Sequence, residues 1–148
     1  MSFWIEGWVE VACSVDTPEK NAWAGLIRLG PLIDTYDEVS EELFCLSKRV
    51  VTGEVQIRAL APLRGIPDDA STSVKYDLAG IADHEEQFGT GEFGGYTHAT
   101  WRDMKTHPLT SEVAPHTEWS TVFDLLRTLE RSGKYNDEGI RIVVWYNW

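Results

Sequence analysis

The closing stretch Gly139–Trp148, GIRIVVWYNW, is β-branched or aromatic at nearly every position. A run this short cannot cross a bilayer. Because it is apolar on both faces, it predicts a strand in the middle of a sheet, covered above and below. Just upstream, TEWSTVFDLLRTLERSGK places Trp119, Val122, Phe123, Leu126 and Leu129 on one helical stripe, with Gly133 as a stop, and predicts a helix over about 118–132. Helix followed by central strand sets the theme for the rest of the chain.

At the other end, FWIEGWVEVA (Phe3–Ala12) alternates. Phe3, Ile5, Val9 and Val11 fall on one side and Trp4, Glu6, Trp8 and Glu10 on the other, which is strand periodicity. The second side carries two tryptophans among acids, so either a partner or a packed helix covers it. AWAGLIRLGPLI (Ala22–Ile33) predicts a strand with an irregular end. In TYDEVSEELFCLS, a Thr35-x-x-Glu38 capping pattern precedes Tyr36, Val39, Leu43 and Leu46 at helical spacing, predicting a helix over about 36–47. RVVTGEVQIRAL (Arg49–Leu60) places Thr-Gly between two β-rich runs and predicts a short hairpin. APLRGIPDDASTS is a loop whose Ser71–Ser73 end can cap a weaker helix through Val74, Leu78 and Ile81. The order predicts one α+β domain over residues 1–148. It has a mixed or mostly antiparallel sheet, with two to three helices packed on one face.

The chain has 148 residues, 43% hydrophobic and 25% charged, long enough for one buried core and far from a disordered composition. Cys13 and Cys45 have no metal or redox spacing, and the N-terminus carries no basic and apolar leader, which predicts a reduced, cytoplasmic protein. The formal charge of −11 lies beyond the roughly 2–8 units of an ordinary small domain. Direct nucleic-acid binding needs Lys and Arg to displace counterions and is not expected. The acidic surface suits solubility, or docking on a basic protein such as one that handles nucleic acid.

The four histidines, His84, His98, His107 and His116, lie in one third of the chain, but no HExxH or helical His pair appears, so neither metal nor cofactor is expected. The run FGTGEFGG has a Gly-x-Gly, yet it lacks the strand before and helix after that a dinucleotide loop requires; it predicts a surface loop leading into a strand. THAT (Thr97–Thr100) contains the His-x-Thr element of two-histidine phosphoesterases, but no second copy follows at a workable distance. Catalytic residues are therefore not assigned. The candidate contact residues are Trp4, Trp8, Tyr96, His98, Thr100 and Trp101, amphipathic aromatics beside donors and acceptors. Trp119 and Trp145 are assigned to the core.

RGIPDDAS (Arg64–Ser71), GYTHATWRDM (Gly95–Met104) and RIVVWYNW (Arg141–Trp148) together resemble the landmarks of a group of small proteins from phages and phage-like elements. No catalytic residue carries over from that group. The resemblance implies a phage or mobile-element origin, where small acidic proteins are often inhibitors of host systems. The resulting expectation is a non-enzymatic binding protein acting in a bacterial cytoplasm on a host protein of basic surface, with self-association among the contacts it allows. The alternatives are a nucleotide-like ligand sequestered by stacking and hydroxyls, and a small hydrolase or nuclease using His98.

Overall fold

The structure, a computed structural model, describes residues 4–13, 22–33, 37–46, 53 and 58–148. Four strands, β1 (Trp4–Cys13), β2 (Ala22–Arg28), β3 (Phe93–Thr100) and β4 (Ile140–Asn147), form one sheet in the order β2-β1-β4-β3. All three pairings are antiparallel. The helices are α1 (Glu38–Phe44), α2 (Thr72–Phe88), α3 (Trp101–Lys105), α4 (Pro108–Glu112) and α5 (Trp119–Arg131), so the fold is α+β as expected. The predicted 49–60 hairpin falls largely outside the described residues.

β4 is central, and seven of its eight residues are buried, as its two-faced apolar sequence requires. Alternation divides the strand between two cores. Ile140, Ile142, Val144 and Tyr146 face a large core shared with Ile5 and Val9 of β1 and with α1, α3, α4 and α5. Val143 and Trp145 face a smaller one with Val74 and Ile81 of α2. The expectation of helices on a single face is thus corrected: α2 covers the opposite face. α2 has a weak apolar stripe but finds on that side Trp8, Val143 and Trp145, which would otherwise be wet.

In the large core, Trp119 stacks on Phe123 at 5.7 Å between centroids, and its indole N–H donates to Ser40 Oγ at 2.9 Å, tying α5 to α1. α1 begins about two residues later than its sequence suggests, with Asp37 as the cap, its carboxylate accepting from Ser40 N at 3.0 Å; the expected Thr35 cap lies outside the described residues. Ser71 caps α2, accepting from Val74 N. Gly7 sits at φ +138 where β1 meets β4, and a Cβ there would drive into the Val143 carbonyl, so only glycine permits this pairing. A bulge between Val9 and Glu10 in the β1–β2 pairing leaves Leu26 as the extra residue. On either side of it, Trp23 and Arg28 reach Asp69 and Asp77 respectively.

Candidate ligand cleft between the sheet and α2

The structure divides the predicted contact residues: Trp8 and Tyr96 pack against the small core and Trp101 lies in the large one. Trp4 is 47% exposed at the start of β1. Trp8 lies half-buried under α2, donating its indole N–H to Asp77 Oδ2 at 2.8 Å, with the Arg28 guanidinium 4.6 Å from its ring centroid. The helix, not a partner, covers this strand face. Tyr96 packs against Trp145 in the small core, and burial pushes its phenol up to about 12. His98 Nδ1 lies 3.0 Å from the Gly65 carbonyl, Thr97 Oγ1 donates to the Ala61 carbonyl, and Gly65 N donates to the Tyr96 carbonyl. These bonds clamp the 60–67 loop along β3. Thr100 caps α3, accepting from Asp103 N at 3.2 Å. Trp101, expected to be partly exposed, is 2% exposed in the large core beside Phe123. The GYTHATW stretch therefore serves the fold: a strand clamp, a helix cap and a core tryptophan.

The cleft lies elsewhere. Between α2 and the start of β1 and end of β2 is a concavity of about 490 Å³, within the usual range of ligand pockets. Tyr76, Gly80 and His84 of α2 line one side at four-residue intervals, with Asp77 and Ile81 beside them; Glu6, Gly7, Arg28, Gly30, Pro31 and Phe93 complete it. Phe88 extends the same row, its ring 4.8 Å from that of His84, and Phe93 meets His84 edge-on at 5.6 Å. Tyr76 and Phe88 are 77% and 66% exposed. The signal for this ridge was present in KYDLAGIADHEEQF as Tyr76-Gly80-His84-Phe88 at i, i+4, i+8 and i+12, one line on a helix. Periodicity analysis directed at buried stripes passes over it, because the row is half aromatic and faces solvent.

The charges of the cleft are fixed by specific partners. Both terminal nitrogens of Arg28 donate to Asp77, at 2.6 and 2.9 Å, and this bonding raises the guanidinium above its already high ordinary value. His84 Nε2 is 2.7 Å from Glu92 Oε2. Glu6 accepts from Trp145 Nε1 and Asn147 Nδ2, each at 3.2 Å. Among the described residues no serine, threonine or cysteine lines the cleft. The described lining thus combines ionisable groups, Glu6, Arg28, Asp77 and His84, with the rings of Tyr76 and Phe93. Among the described residues no three His, Cys, Asp or Glu side chains converge on a metal position, and no helix is long and apolar enough to cross a membrane. Compared with known protein families, curated proteins and solved structures, the chain matches none.

Proposed function

We propose that the protein is a non-enzymatic acidic binding protein that inhibits a host protein of basic surface, in a phage-derived setting within the bacterial cytoplasm. The observation that carries this reading is the row of α2 side chains at the rim of the cleft. Tyr76 and Phe88 are the two most exposed large apolar side chains of those described, and Asp83, Glu85 and Glu86 stand between them in sequence. From Tyr76 to Trp101 the chain has five acids and neither Lys nor Arg. Exposed aromatics flanked by one sign of charge suit an interface whose anchors supply affinity while the charge steers a basic partner onto it. The resemblance to phage proteins supports the setting.

The test is capture from host lysate on immobilised protein, comparing the wild type with the Tyr76→Ala/Phe88→Ala double variant. The expected result is a basic protein that the wild type retains at low salt, that rising salt releases and that the variant fails to hold. Intact nucleotide recovered on denaturing the purified protein would replace this reading with sequestration. Turnover of a nucleotide substrate would replace it with an enzyme.

A further inference from the structure

Glu6 stands where the cleft meets the sheet. Its carboxylate is half-buried at the wall of the cleft, held by two neutral donors, Trp145 Nε1 and Asn147 Nδ2, and among the described residues no cation lies within ion-pair distance of it. Arg28 borders the same space and its charge reaches Glu6, but both of its terminal nitrogens are bonded to Asp77. A cation entering the cleft could form a charge-assisted hydrogen bond with this carboxylate, whose present partners are both neutral donors. The walls suit a cation too: the rings of Tyr76 and Phe93 border the space, and ring faces attract ammonium and guanidinium groups.

Gly80 points the same way. It lies in the interior of α2, where glycine is about 0.8–1.0 kcal/mol worse than alanine. Packing does not require it, since a Cβ there would meet nothing within 4 Å. What its lack of a side chain does is keep the mouth of the cleft open beside Tyr76 and His84.

We infer that the cleft receives a lysine or arginine side chain of the basic partner, with Glu6 as its counter-ion, Ile81 and Pro31 along its aliphatic stem, and Tyr76 and Phe93 beside the charge. This rests on the protein-binding reading above and names where the partner is anchored. The positive head has a fixed acceptor, because the Trp145 and Asn147 donors hold the carboxylate in one orientation.

The test follows the Trp145 indole N–H resonance of the full chain, because that proton is bonded to Glu6. The chain is titrated with capped tripeptides centred on arginine, lysine, citrulline or norleucine, and with free 1,5-diaminopentane. The cationic peptides should move the resonance saturably and the two neutral ones should not. Glu6→Gln, which keeps an acceptor oxygen for Trp145, should weaken binding at least about tenfold. Gly80→Leu should abolish binding while leaving the spectrum of a folded chain. Equal affinity of citrulline and arginine peptides, or an unaffected Glu6→Gln, would overturn the proposal. So would a diamine that binds more tightly than either peptide, which would make the site one for free amines. If the captured partner is lost by Tyr76→Ala/Phe88→Ala and kept by Glu6→Gln, the cleft proposal falls and the interface reading stands. If the peptides bind but no basic partner exists, the reverse holds.

Discussion

Arg141 Nε lies 2.7 Å from Glu10 Oε1 although the two residues are 131 positions apart, and both side chains are buried. They are direct neighbours across the β1–β4 pairing. The other Glu10 oxygen accepts from Ser71 N at 2.6 Å, and Arg141 also donates to Asp69 at 2.9 Å with its guanidinium 3.7 Å from the Trp23 ring centroid. One buried carboxylate thus joins the first strand, the last strand and the cap of α2. The arrangement is tolerable in the interior because every charge has a partner.

Removing one member leaves the other charged and buried. Glu10→Ala is expected to cost about 3–5 kcal/mol of stability in urea unfolding. Glu10→Ala/Arg141→Met should cost clearly less than the sum of the single changes, since the double variant strands no charge. Additive costs would mean that the pair is not coupled in the folded protein.

Asp69 gives a pH dependence of known sign. Burial alone would raise its carboxyl, but bonding and charge from Arg141 and the Trp23 indole outweigh it and hold the group below its ordinary value. A depressed carboxyl contributes stability that is present above its unfolded value of about 3.9 and is lost as pH falls through the lower folded value. The stability gap between wild type and Asp69→Asn should therefore be constant from about pH 7 to 5 and close below about pH 4. A gap that persists at the acid end would show that Asp69 acts through packing alone.

Leu126 is fully buried on the α5 stripe against the sheet. Leu126→Ala should lower stability by about 2–5 kcal/mol, read as a shift of the urea midpoint at unchanged slope. An unmoved midpoint would place the stripe outside the core.

His98→Ala should behave as the loss of a clamp. The expected cost is about 0.5–1.5 kcal/mol, the net worth of one hydrogen bond. Hydrogen exchange should quicken at the Gly65 amide, which donates to Tyr96 O at 2.9 Å on the same loop edge. Peptide titration at the cleft should be unchanged, because His98 does not line it. Loss of cleft binding in this variant would place the contact surface on β3 after all.

What the sequence determined by itself was local. Alternation marked β1, the two-faced apolar run marked β4 as central, and the Trp119–Leu126 stripe marked α5, because side-chain periodicity records which sides of an element avoid water. Ser71 was legible as a cap, since a cap bonds to a backbone N–H only a few residues on. Only the tertiary structure decided which face α2 takes, that Glu10 is buried against Arg141 while Glu6 borders a cleft, and that Trp101 fills the core while Tyr76 and Phe88 remain in water. Glu6 and Glu10 occupy equivalent positions in the alternation of β1, and nothing within a few residues distinguishes them. Their difference comes from the far end of the chain and from α2, through contacts made only when the sheet closes, and no local window of sequence contains those contacts.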